Sequence, residues 1–151
     1  MPAPLPDFEL NATGSQRFQL SAFAGHPFVL YFYPKDDTPG CTDEGLQFRE
    51  LHGEFRKAGF AIFGISRDTV ASHEKFKAKM GFPFELLSDP EEQACALFGV
   101  MKMKNMYGKK VRGIERSTFI VGKDGAIAKE WRGVKVAGHA QEVLDAAKAL
   151  G

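Results

Sequence analysis

Residues 27–48, PFVLYFYPKDDTPGCTDEGLQF, restrict the possible folds more than any other stretch of this 151-residue chain. The nearly continuous apolar run over 28–33 reads as a strand buried on both faces. Pro34 ends it, because proline has no N–H for a sheet ladder. A polar turn over 35–40 follows, and a helix opens with Cys41 in its first turn. At that point helical N–H groups lack intrahelical partners, and the helix dipole favours an anion. A thiol placed there is biased toward the thiolate, its nucleophilic form. The stretch therefore reads as a strand–turn–helix unit presenting a reactive cysteine.

The flanking sequence supplies the rest of a sheet and its cover. Residues 7–20 predict a hairpin, with strands at 7–10 and 16–20 around turn-forming residues at 11–15. Ser21 is expected to cap one helical turn that ends at Gly25. Phe48, Leu51, Phe55 and Ala58 recur on one face of a helix over 42–58, which Gly59 stops. A second buried strand falls at 60–66. Thr69 or Ser72 caps a charged amphipathic helix to Met80, and a third short strand spans 84–87. Pro90 is expected at the first position of a helix running to Phe98. Residues 101–113 are the least periodic and read as a loop or irregular extended segment. Strands at 117–121 and 127–132 flank Gly122-Lys123-Asp124-Gly125, a strong hairpin signal. A last helix over 139–150 is expected to bury Val143, Leu144, Ala147 and Leu150. The pattern predicts a single α/β domain over 1–151, with a central mixed β-sheet flanked by helices and an N-terminal β-hairpin. The order β-α-β, then β-β-α, is compatible with a thioredoxin-like fold.

Composition narrows the functional classes. With 44% hydrophobic and 26% charged residues, the chain is neither disordered nor fibrous. A net charge of +1 argues against bulk attraction to nucleic acid or an anionic membrane. The segment KMKNMYGKKVR carries five cations, and against that near-neutral background it reads as a solvated loop. No apolar run reaches the length of a spanning helix, and the start MPAPLPDFEL does not read as a secretory signal. Two cysteines make no disulfide scaffold and fit a reducing compartment, so a cytoplasmic setting is expected. His26, His52, His73 and His139 lack metal-ligand spacing, and no metal is expected. Gly122-Lys123-Asp124-Gly125 lacks the remaining pattern of a phosphate loop.

Pro34, Thr38, Pro39, Gly40 and Cys41 together resemble the PxxxTPGC signature of the peroxiredoxins. The version here is similar to the bacterioferritin-comigratory-protein, or PrxQ, subgroup. The likeness extends over nearly the whole chain and includes NMYGKKVRGIERSTFIV at 105–121. It implies that Cys41 is the peroxidatic cysteine, Thr38 holds the peroxide and Pro34 shields the nucleophile from water. Arg116 would lie beside the thiolate. From the residues themselves, Glu44 in the first helical turn either orients Arg116 or is a surface acid favoured by the helix dipole, and the Pro39-Gly40 approach lets backbone N–H groups point at the sulfur. The implied activity is a thiol-dependent peroxidase acting on hydrogen peroxide and small organic hydroperoxides, without metal, haem or flavin. The reductant would be thioredoxin, glutaredoxin or a small thiol, and the subgroup implies a monomer.

Cys95 departs from the subgroup. Where many members carry a resolving cysteine five residues after the peroxidatic one, this chain has Leu46. The next helix, where others place it, has none. Cys95 lies instead in DPEEQACALFGV and reads as a buried helix-face thiol. The expected mode is a one-cysteine cycle with an external thiol; resolution by Cys95 after local unfolding is the alternative. A dithiol oxidoreductase would need Cys-x-x-Cys, but Thr42, Asp43 and Glu44 follow Cys41. A cysteine hydrolase would need a histidine base that no sequence feature marks. A redox sensor using Cys41 as a switch is the non-enzymatic alternative, and turnover separates it from a peroxidase.

Overall fold

The computed structural model describes residues 4–150, apart from the Met106 side chain. In order, the chain forms β1 (Glu9–Ala12), β2 (Gln16–Gln19), a 3-10 turn (Leu20–Phe23) and β3 (Phe28–Phe32). Then come α1 (Pro39–Lys57), β4 (Ala61–Ser66), α2 (Val70–Met80), β5 (Glu85–Ser88) and α3 (Gln93–Phe98). β6 (Met101–Met106), β7 (Lys109–Ile114), β8 (Ser117–Val121), β9 (Ile127–Arg132) and α4 (His139–Leu150) complete it. Seven strands form one mixed sheet in the order β2-β1-β5-β4-β3-β8-β9, and β6 and β7 pair separately. β3 runs parallel to β4 and antiparallel to β8, so it lies inside the sheet with all five residues buried.

Alternation along the strands divides the core between the two sheet faces. Phe28, Leu30 and Phe32 of β3 join Ile65, Leu87, Phe119 and Val121 on one face, where Cys95 and Phe98 of α3 cover them. Val29 and Tyr31 point the other way, into Ile62, Leu86 and Ile120 beneath α1, α2 and α4. Cys41, Phe48 and Phe55 belong to this second face, as do Phe76, Val143, Leu144 and Ala147. The phenylalanine-rich interior is an aromatic lattice, with Tyr31 stacked on Phe48 at 4.7 Å between ring centroids.

Several sequence expectations require correction. The 101–113 segment is a regular β-hairpin, its register running from Met101 opposite Ile114 to Met106 opposite Lys109. Tyr107 and Gly108 both have positive φ and supply the tight two-residue turn. α3 starts at Gln93, not at Pro90, because Glu92 is left-handed (φ 61°) and interrupts the helical path. The Asp89 carboxylate instead accepts from the N–H groups of Gln93 and Cys95, at 2.7 and 2.8 Å. Ser21 does not cap the 3-10 turn, which begins at Leu20; its own N–H donates to Asp7. β1 lies two residues beyond the 7–10 expectation, because Ala12 still pairs with Gln16. Leu150 is 52% exposed, and His139 and Ala140 take inward positions on α4.

Candidate active site

α1 begins where the sequence places Cys41 in a first turn. Thr38 is the N-cap, with extended backbone, and Pro39 occupies the first helical position, where no N–H is needed. The Thr38 carbonyl accepts from Thr42 N–H at 2.8 Å, which starts the helical ladder. Its hydroxyl does not cap the helix. It donates to the Lys35 carbonyl at 2.9 Å, which leaves the oxygen lone pairs free to accept. Pro34 is half-buried two residues after β3, following Tyr33, whose N–H still donates to the Ile65 carbonyl at 3.0 Å.

Cys41 is 2% exposed and unpaired. Arg116, immediately before β8, donates from Nη2 to its Sγ at 3.4 Å. The other guanidinium nitrogen, Nη1, donates to Glu44 Oε1 at 2.6 Å. Glu44 and Cys41 are three residues apart on α1 and therefore share a face, so one guanidinium reaches both. The fork geometry of arginine suits this double contact, which a lysine could not reproduce. Gly40 leaves room for it, since a Cβ there would sit 3.1 Å from Arg116 Nη2.

The local electrostatics follow from burial. Glu44 is 1% exposed, and desolvation lifts its carboxyl to about pKa 7, although Arg116 pulls the other way. Burial disfavours the Arg116 charge, but Glu44 and Cys41 outweigh it and hold the guanidinium above its ordinary range. Glu44 Oε2 and the Tyr31 hydroxyl are buried without hydrogen-bond partners among the described residues. Burial first, then the charges of Glu44 and Cys41, makes Tyr31 harder to ionise. The result is a buried sulfur with one guanidinium aimed at it. A nucleophilic displacement at Cys41 would have its charge stabilised there.

The structure brings Gly40, Cys41, Glu44 and Arg116 together and sets Thr38 at the helix cap. It does not bring Cys95 to them, because the sheet separates α3 from α1. Burial, aided by the Asp89 carboxylate, pushes the Cys95 thiol far above its ordinary range, which suppresses its nucleophilic form.

The sequence reading missed a buried polar network beneath the loop before α1. Asp36 accepts from the Tyr33 hydroxyl at 2.6 Å and the Ser72 hydroxyl at 2.7 Å, and it faces His73 Nδ1 at 2.7 Å. His73 Nε2 faces the Leu87 carbonyl at 2.8 Å, so both ring nitrogens are engaged. Asp68 Oδ2 accepts from Asp36 N–H and from the Ser66 hydroxyl. Ligand-type atoms of Asp36, Asp68 and His73 lie within 4.8 Å of one another, and these hydrogen bonds engage all three side chains. Asp36, five residues before Cys41, was detectable only as one acid in a polar turn.

The chain belongs to the AhpC/TSA family, whose model matches residues 2–130. It is 56% identical over 149 residues to peroxiredoxin Bcp of Xanthomonas campestris pv. campestris, covering 99% of this chain and 93% of that one. Peroxiredoxin Bcp of Bacillus subtilis is 46% identical over 143 residues, covering 95% and 91%. A solved structure of the Xanthomonas campestris bacterioferritin comigratory protein, described for its alkyl peroxide reduction activity, matches with a TM-score of 0.93. That match has 53% identity and covers 99% of both chains. The fold is thioredoxin-like, and within the family the chain is a Bcp/PrxQ peroxiredoxin, a thiol-dependent peroxidase.

Proposed function

We propose that Cys41 is the peroxidatic residue of a one-cysteine cycle reducing hydrogen peroxide and small organic hydroperoxides. The observation that carries this reading is Arg116 Nη2 at 3.4 Å from Cys41 Sγ, in the first turn of α1. The Cys41 thiolate attacks one peroxide oxygen, the O–O bond breaks, and the departing oxygen takes a proton to leave as water or alcohol. Cys41 becomes a sulfenic acid. Negative charge passes from sulfur to the leaving oxygen, and the Arg116 guanidinium stands where both ends of that transfer are stabilised. Thr38 offers hydroxyl lone pairs to the peroxide O–H, Gly40 lets Arg116 approach, Glu44 orients Arg116, and Pro34 shields the sulfur. Organic hydroperoxides are included because the Xanthomonas campestris relative is described as reducing alkyl peroxides.

An external thiol (thioredoxin, glutaredoxin or a small thiol) then regenerates Cys41, since Cys95 is buried on the opposite sheet face. The chain works as a monomeric single domain in a reducing, cytoplasmic setting. Two unpaired cysteines and the subgroup likeness support this.

Intact mass after one equivalent of hydrogen peroxide with a sulfenic-acid trap tests the cycle in wild type, Cys41→Ser and Cys95→Ala. The expected result is one trap adduct in wild type and Cys95→Ala and none in Cys41→Ser. A loss of about 2 Da in wild type alone, without dimer, would make Cys95 the resolving residue. An unreactive Cys41 would sink the reading altogether.

A further inference from the structure

The β6–β7 hairpin lies outside the main sheet. Its residues 101–114 carry five of the chain's 20 Lys and Arg and none of its 19 Asp and Glu. A protein of net charge +1 thus has one strongly cationic projection on an otherwise net-negative body. Met103, Tyr107 and Val111 are 61, 100 and 44% exposed. They are three of the four large apolar side chains so exposed among the described residues. Apolar side chains ringed by charge, in one projecting ribbon, are what a protein interface looks like before it is covered.

The cations divide into two groups. Lys102 is paired with Glu115 and Arg112 with Glu92, both toward the base of the hairpin. The Lys104 ammonium folds back onto the Ile114 carbonyl. Lys109 and Lys110, next to the Tyr107–Gly108 turn, have no ion-pair partner among the described residues. The base adjoins the reacting thiol. Ile114 ends β7 two residues before Arg116, and Lys104 is close enough for the charges of Arg116 and Cys41 to act on it.

We propose that the β6–β7 hairpin docks a protein dithiol reductant with an acidic surface, a partner assignment that rests on reading Cys41 as the peroxidatic thiol. Lys109 and Lys110 steer the acidic face, while Tyr107 at the turn and Met103, which shares a face of the ribbon with Lys110, supply the apolar contact; Val111 lies on the other face. The docked partner's thiol attacks the Cys41 sulfur of the sulfenic acid, an S–S bond forms, and the hydroxyl leaves as water. The partner's second thiol then displaces Cys41 from the mixed disulfide. The partner dithiol has been oxidised to a disulfide, and Cys41 is again a thiol.

Steady-state peroxide reduction by wild type and Lys109→Glu/Lys110→Glu tests this with two reductants. One is an acidic thioredoxin recycled by its reductase and NADPH; the other is dithiothreitol. The KM for thioredoxin should rise about tenfold in the variant, and wild-type kcat/KM should fall with added NaCl more steeply than the variant's. Dithiothreitol turnover and the rate of Cys41 oxidation by peroxide should be the same in both. Equal thioredoxin KM values, or dithiothreitol turnover without thioredoxin turnover, would overturn the assignment. So would unchanged thioredoxin kinetics combined with a shifted monomer–dimer equilibrium or lost oligonucleotide binding in the variant. If neither reductant supports turnover and peroxide leaves Cys41 unoxidised, the underlying reading of Cys41 fails, not the docking assignment.

Discussion

Glu44 and Arg116 form a short ion pair in which burial still dominates the acid. A carboxyl raised to about pKa 7 in the folded chain binds its proton more tightly there than in the unfolded chain. Its contribution to stability is therefore complete below the ordinary glutamate range and is lost as pH rises through about 7. Glu44→Gln keeps the acceptor for Arg116 and removes the ionisation. Relative to wild type, the variant should gain stability from pH 5 to pH 8, by an amount on the order of 3 kcal/mol. Urea unfolding at the two pH values checks this, and parallel behaviour of the two proteins would show that the Glu44 charge is not penalised. The same substitution replaces a charge-assisted bond to Arg116 with a neutral one and so should slow Cys41 oxidation above pH 7. Cys41, Thr38 and Pro34 were legible in the sequence because their geometry is local: a strand end, a turn and a helix cap within eight residues. Arg116 was not legible from the residues alone, lying 75 residues away; only the likeness of ERSTF to family sequences singled it out.

The elements that hold the site in place are tied together by the Asp36 network. It joins the β3–α1 loop to α2 through His73 and Ser72, and through the His73 ring to β5. Burial alone would raise the Asp36 carboxyl, but His73, Tyr33 and Ser72 together hold it below the usual range. A depressed carboxylate contributes stability above its ordinary value and loses it as pH falls through the folded value. Asp36→Asn should therefore cost about 2 kcal/mol at pH 7 and progressively less below the carboxylate range. Chemical unfolding at pH 7 and pH 3 measures the difference. An equal cost at both would place the loss in packing, not in the charge. The network escaped the sequence reading because its members are scattered from residue 33 to residue 87, and nothing in their spacing links them. The β6–β7 hairpin escaped for a different reason. Met and Lys alternate there with little β-branched content, and Tyr107-Gly108 is a weaker turn signal than Asn-Gly. The strands of the main sheet, being rich in Phe, Val, Ile and Leu, were visible at once.

Across the whole molecule, a single sheet keeps the two cysteines in separate cores. Cys41 lies under α1 at a helix start, whereas Cys95 is fully buried in the other core, its N–H held by Asp89. Reaching Cys95 from solvent requires peeling away α3, whose Phe98 packs on Phe32 and Phe119 at 5.2 and 4.8 Å between ring centroids. Such an opening disrupts a whole sheet face, so it should coincide with global unfolding, not with a local excursion. A thiol-alkylating reagent should thus label Cys41 in the folded protein and Cys95 at least about 10³-fold more slowly, as the unfolding equilibrium of a typical domain dictates. The Cys95 rate should also rise with urea along the full slope of global unfolding. Peptide-resolved mass spectrometry over a urea series reads both rates. A shallow urea dependence at Cys95 would mean that α3 opens independently, and a two-cysteine cycle would regain a physical route. A full dependence leaves the Cys41 sulfenic acid no partner within its own chain, so regeneration has to arrive from outside, past the cationic hairpin beside Arg116.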